Sequence, residues 1–222
     1  IKNFINKDTT LLLYEYMKSK AHRESIKFAF RPNLHNDRWD GEWIDPQSDN
    51  TYSKYGDPVF DSLLNLSNNN IENCTGLKLV PQYSYWRLYE TGNTLEKHID
   101  RESCEISLTI CMGYDISNLD DKQYNWPMYV ENKPIHLNPG DILIYRGCEV
   151  EHWRKQFKGL KHAQVFLHYN EKDGKYHMPF DTRPMLGLPG ACRQERKNEP
   201  TRKSIDYGWE PDNDYKTFDI ID

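Results

Sequence analysis

The sequence predicts a mainly β protein, a sandwich or barrel of short strands buttressed by helices on its N-terminal side. Two helix-like patterns lie before residue 77, and six or more short alternating segments follow between 77 and 170. A length of 222 residues and an aromatic share of 13% supply enough bulk for one large core.

The elements follow in order. "KDTTLLLYEYMKSK" reads as a helix, with Asp8 as its N-cap and Leu13, Tyr16 and Met17 on one face. "RPNLHNDRWDGEWIDPQSDNTYSKYGD" has many breakers and no period, which predicts a long loop. A second helix starts at "GDPVFDSLLNL": Asp57 caps it, Pro58 takes its first turn, and Phe60, Leu63 and Leu64 form its apolar stripe. From residue 77 the texture becomes strand-like. "LKLVPQYSYWRLYE" is aromatic and alternating. "EISLTICMGY" sets Ile106, Leu108, Ile110 and Met112 on one face and Ser107, Thr109 and Cys111 on the other. "PMYVE", "KPIHL", "DILIYR" and "HAQVFLHY" complete the set, with "NPGD" (138–141) suited to a type II turn between strands. Beyond residue 170 the chain is charged and rich in Pro and Gly, with Phe180, Met185 and Leu188 as anchors.

Net charge is −5 without a basic stripe, which argues against a duplex nucleic acid as partner. No apolar run reaches the roughly 18–20 residues that span a bilayer, so no membrane partner is expected. Five cysteines, none spaced as CxxC, disfavour disulfide frameworks and cysteine-rich zinc sites and make a reducing cytoplasm the expected location. The chain opens on Ile rather than Met, which suggests a trimmed start, and nothing there resembles a signal peptide. Four alanines beside many Asn, Lys, Ile and Tyr point to an AT-rich microbial or viral source.

The chemistry starts in "LEKHIDRESCEISL". His98 and Asp100, two residues apart in an extended segment, point to the same side of the backbone. An imidazole and a carboxylate there make half of a metal site. A second copy, His35 and Asp37, sits in the polar loop, so the spacing alone does not decide. Two histidines and one carboxylate on one face of an ion form the facial triad of non-haem Fe(II) oxygenases. Candidates for the third ligand are His136, His152, His162, His168 and His177. His152 is favoured because it follows one strand and precedes another. Nine residues on lies Lys161, heading the last strand on the same face as Ala163, Val165, Leu167 and Tyr169. A lysine entering an apolar barrel face is expensive unless an anion meets it; the alternative is a lysine at the strand end snorkelling to water.

Three runs, "YWRLYETGNTLEKHID", "NPGDILIYRGCEVEHWR" and "LKHAQVFLHY", together resemble the 2-oxoglutarate- and Fe(II)-dependent dioxygenases. The likeness is to their prolyl-4-hydroxylase type, including uncharacterised bacterial and phage members, and covers about residues 77–170. It implies a double-stranded β-helix, or jelly-roll, core over 77–170 within a single catalytic domain of 1–222. Residues 1–76 would be helical and loop support, and 171–222 a C-terminal extension. His98, Asp100 and His152 match the iron ligands, Lys161 the basic residue that pairs with the distal carboxylate of 2-oxoglutarate, and Tyr89 a tyrosine lining the pocket. Met112 stands where a second carboxylate-binding tyrosine is common, leaving that role to Tyr114 or Thr109, or leaving Lys161 with less help.

The implied cofactors are Fe(II), 2-oxoglutarate and O2, with ascorbate admitted as an accessory. The implied reaction couples decarboxylation of 2-oxoglutarate to hydroxylation of a C–H bond, of prolyl residues in a peptide or protein first of all. A free amino acid or small metabolite is the alternative substrate, and a non-enzymatic jelly-roll binding protein the alternative role. Nucleic-acid demethylation ranks last, since "HAQVFLHYN" lacks the arginines of that pattern. Trp39 and Trp43 are expected to cover the barrel mouth or to pack helices on the sheet. Arg154 and Trp153, directly after the distal ligand, are expected at the site entrance. The sequence leaves the oligomeric state open.

Overall fold

A computed structural model describes residues 1–30, 39–176 and 178–194. His35, Asp37, His177 and the charged stretch "KNEPTRKS" (197–204) lie outside the described residues.

The first helix, α1 (Lys7–Phe30), is capped by Asn6, whose Oδ1 accepts from the Thr9 N–H at 2.9 Å. The expected cap, Asp8, sits inside the first turn, where a negative charge meets the helix dipole. The second helix, α2 (Pro58–Thr75), begins as its sequence predicts: Asp57 accepts from the Val59 N–H at 3.0 Å and Pro58 follows. It ends at Gly76, whose φ of +74° suits glycine. Between the helices, β1 (Tyr52–Tyr55) pairs antiparallel with β2 (Leu79–Glu90). The expected loop therefore contains an edge strand of four residues, too short to show a period in a polar stretch.

The remaining strands are β3 (Leu95–His98), β4 (Ile106–Asp115), β5 (Met128–Val130), β6 (Lys133–Ile135), β7 (Ile142–Tyr145), β8 (His152–Arg154) and β9 (Lys161–Glu171). They form a five-stranded sheet, β1-β2-β9-β4-β7, and a four-stranded one, β3-β8-β5-β6. Arg154 of β8 reaches Gln164 of β9 at 3.0 Å, so the two sheets face one another. This is the jelly-roll sandwich expected of the core.

Alternation along the large sheet divides its side chains. Trp86 and Leu88 of β2, Ile106, Leu108, Ile110 and Met112 of β4, and Ala163, Val165, Leu167 and Tyr169 of β9 pack outward with Leu13, Met17 and Ala21 of α1 and Phe60, Leu64 and Ile71 of α2. The apolar core thus lies between helices and sheet. The inner face carries polar and aromatic side chains: Tyr83, Tyr85, Arg87 and Tyr89 of β2 stand beside His168, Phe166, Gln164 and His162 of β9 in antiparallel register. The segment after β9 is anchored by charge rather than by Phe180, Met185 and Leu188, which stay half-buried. Buried Asp181 accepts from Arg101, Ser103 and Tyr55, and buried Arg183 pairs with Asp61 at 3.0 Å.

Candidate metal centre

Strand pairing builds the centre. β3 and β8 are antiparallel, with His98 opposite His152, and their ring centroids lie 4.3 Å apart. Asp100, two residues past His98, brings its Oδ1 to 3.6 Å from His98 Nε2 and 3.5 Å from His152 Nε2. One ligand atom from each of the three residues falls within 4.8 Å of the others, a spacing one divalent ion fits.

The tautomers suit a metal. His98 Nδ1 lies 2.6 Å from the Glu96 carbonyl and His152 Nδ1 lies 3.0 Å from the Val150 carbonyl. A carbonyl only accepts, so each Nδ1 carries the proton and each Nε2 offers a bare lone pair toward Asp100. The other Asp100 oxygen, Oδ2, accepts from Ser107 Oγ at 2.9 Å. Gly147 closes over this corner: a Cβ there would meet Asp100 Oδ2 at 2.3 Å and Ser107 Oγ at 2.5 Å.

Asp100, Cys104 and His168 also come together. Burial raises the Cys104 thiol well above its ordinary value, and His168 Nδ1 lies 2.9 Å from Ser107 Oγ. This second group supports Asp100 through Ser107 and keeps the thiol protonated.

The cavity at the centre measures about 480 Å³ and is walled by Tyr83, Tyr85, Arg87, Tyr145, Phe166 and His168 among others. A second, of about 500 Å³, shares Tyr55, Tyr85, Gly190 and Arg193 with it. Asp45 reaches in from the loop before β1, pairing with Arg87 at 2.5 Å and accepting from the Tyr85 hydroxyl at 2.7 Å. Arg87, Tyr85 and Tyr83 were readable as one face of "YSYWRLY"; Asp45 and Arg193 carry no sequence signal, because irregular segments deliver them.

Several sequence-predicted residues stand elsewhere. Lys161 does share a face with Ala163, Val165, Leu167 and Tyr169, but that face meets the helices, not the barrel. Lys161 is partly exposed at the start of the central strand β9 and pairs with Glu90. Trp153 points outward from β8 and stacks on Tyr129 at 5.5 Å, because alternation turns it away from His152. Trp43 packs on Tyr52 at 4.7 Å within the helix layer, and Trp39 is 58% exposed. Arg154 is not at the entrance: it is 2% exposed inside the sandwich. Tyr114 follows a register shift between Cys111 and Gly113 and stacks on His162, half-buried. Tyr89 and Thr109 do lie inside; Thr109 Oγ1 accepts from Gln164 Nε2 at 2.6 Å.

No protein-family model matches the chain. No curated protein matches it either. Solved structures do. A prolyl-4-hydroxylase from Pseudomonas putida aligns over 77% of this chain and 90% of its own, at 12% identity and a TM-score of 0.54. HygX from Streptomyces hygroscopicus, with nickel, 2-oxoglutarate and hygromycin B bound, aligns over 78% and 82%, at 11% identity and a TM-score of 0.52. The viral collagen prolyl hydroxylase of Paramecium bursaria Chlorella virus-1, in its 2OG complex, aligns over 76% and 93%, at 12% identity and a TM-score of 0.50. Among the described residues no helix is long and apolar enough to cross a membrane. A double-stranded β-helix with helices on one face is the fold this chain shares with these three structures.

Proposed function

We propose that the protein is an Fe(II)- and 2-oxoglutarate-dependent hydroxylase. The carrying observation is the His98, Asp100 and His152 cluster, with both Nε2 lone pairs bare and facing one Asp100 oxygen. Two neutral imidazoles and one carboxylate suit ferrous iron and leave coordination positions for a chelating co-substrate and O2. Bound iron and 2-oxoglutarate would couple decarboxylation to succinate with hydroxylation of a C–H bond. The chain's own residues hold and orient the ligands: the Glu96 and Val150 carbonyls fix the imidazoles, and Ser107 fixes the carboxylate. Ascorbate belongs to the scheme as an accessory reductant, and cysteine usage supports a cytoplasmic location.

For the substrate, prolyl residues in a peptide are the favoured reading. Two of the structures sharing the fold are prolyl hydroxylases. The two cavities share a wall that includes the tyrosines Tyr55 and Tyr85, which supports a ligand longer than one metabolite. HygX with hygromycin B bound supports the alternative, a small-molecule substrate. The test is succinate release from 2-oxoglutarate with a proline-containing peptide library, read with a mass gain of one oxygen on the peptide. Succinate with no modified peptide, but with a modified small molecule, would move the assignment to the alternative.

A further inference from the structure

Among the described residues three arginines are buried: Arg87, Arg154 and Arg183. Arg87 pairs with Asp45 and Arg183 with Asp61. Arg154 has no carboxylate within ion-pair distance among the described residues. Its neighbours are neutral: Nη1 donates to the Trp126 carbonyl at 2.8 Å, Nη2 to Gln164 Oε1 at 3.0 Å, and the guanidinium lies 4.7 Å over the Trp126 ring. Its Nε–H has no partner, and neither has the buried hydroxyl of Tyr89. A buried, uncompensated cation with an orphaned donor is costly unless an anion joins it.

The neighbouring histidine does not supply the charge. Gln164 Nε2 donates to Thr109, so its Oε1 accepts from both Arg154 and His162 Nε2. His162 therefore carries its proton on Nε2, and its orphaned Nδ1 is an acceptor, which repels a carboxylate. Arg154 stands two residues after His152 on the same inward face of β8, roughly 6.6 Å further along the strand. A five-carbon diacid chelated at the metal by one end reaches that far with the other.

We propose that Arg154, helped by the Tyr89 hydroxyl, receives the distal carboxylate of the co-substrate, in place of Lys161. This rests on the hydroxylase reading. One three-residue strand then supplies both a metal ligand and the anion-binding charge, whereas Lys161 at the start of β9 serves a surface pair with Glu90.

The test is calorimetric titration of the Mn(II)-loaded protein with N-oxalylglycine, an unreactive analogue carrying the same two acid ends. Mn(II) affinity is measured separately for every variant. Arg154→Gln should weaken N-oxalylglycine roughly 10- to 100-fold with Mn(II) affinity retained, and Arg154→Lys should restore part of it. Tyr89→Phe should cost roughly 3- to 10-fold, and Lys161→Ala less than about 2-fold. A loss with Lys161→Ala, or a folded Arg154→Gln that titrates like the parent, would overturn the assignment. If Arg154→Gln does not fold, Tyr89→Phe and Lys161→Ala decide: the proposal needs the first weakened and the second not. A parent that binds both Mn(II) and N-oxalylglycine while a folded Arg154→Gln binds as well sinks this proposal alone; a parent that holds no Mn(II), or Mn(II) without N-oxalylglycine, sinks the hydroxylase reading and this proposal with it.

Discussion

The two faces of the large sheet are built from the same strands and do opposite work. On β4, Leu108 is fully buried among the helices, whereas its neighbour Ser107 turns inward and donates to the Asp100 carboxylate. On β9, Val165 and Leu167 join the apolar core while Gln164, Phe166 and His168 face the His98, Asp100 and His152 cluster or its supports. A period of two lets one strand spend alternate residues on stability and on chemistry. The fold's apolar cohesion comes mainly from helix against sheet, which leaves the sandwich interior free to be polar.

The sharpest way to break this division is at the ligands. Asp100→Ala should remove divalent metal binding, exceeding the roughly 10- to 100-fold loss typical of outer partners. The metal-free fold should persist, losing only the Ser107 hydrogen bond, about 1 kcal/mol; a collapse of the fold would show that the inner face is structural after all. Next comes Leu108→Ala on the outer face, expected to cost about 2–5 kcal/mol in denaturant unfolding. Metal affinity per folded molecule should not change.

The same comparison shows how far the sequence reads. Alternation in "EISLTICMGY" assigns both faces of β4 correctly, and Asp57-Pro58 places α2 to the residue. The HxD spacing with a later histidine marks the cluster. What periodicity leaves open is which face is which. Ala163, Val165, Leu167 and Tyr169 look like a barrel lining, and in most sandwiches the apolar face is the inner one. Here helices cover that face, so Lys161 points away from the site and Arg154 points in. The orphaned donors on Arg154 and Tyr89 are properties of three-dimensional partners, which no linear pattern records.

An intermediate effect comes from pH. Burial and the nearby Arg154 hold His162 down at about 3, against an ordinary 6.5. The unfolded chain then binds more protons than the folded one, so stability rises with pH. This residue's contribution is complete above its unfolded value and is lost as pH falls toward 3. Between pH 7 and 5 it should account for about 2 kcal/mol of lost stability, and His162→Gln should flatten that part of the profile. An unchanged profile would mean His162 is not held neutral by burial.

Smaller again is Ser107→Ala, the inner neighbour of Leu108. It should weaken metal roughly 10-fold through the freed carboxylate while changing stability by about 1 kcal/mol. If Ser107→Ala and Leu108→Ala affected metal alike, the faces would not be independent. The smallest effect belongs to Lys161→Ala: a partly exposed pair worth about 0–1 kcal/mol, checked by thermal melting.

The most direct measurement is an anaerobic spectrum of the protein with Fe(II) and 2-oxoglutarate, beside Asp100→Ala and His98→Ala. A visible charge-transfer band in the parent, absent from both folded variants, is the predicted result. A parent without the band, or variants that keep it, would contradict the assignment of His98, Asp100 and His152 as the iron site.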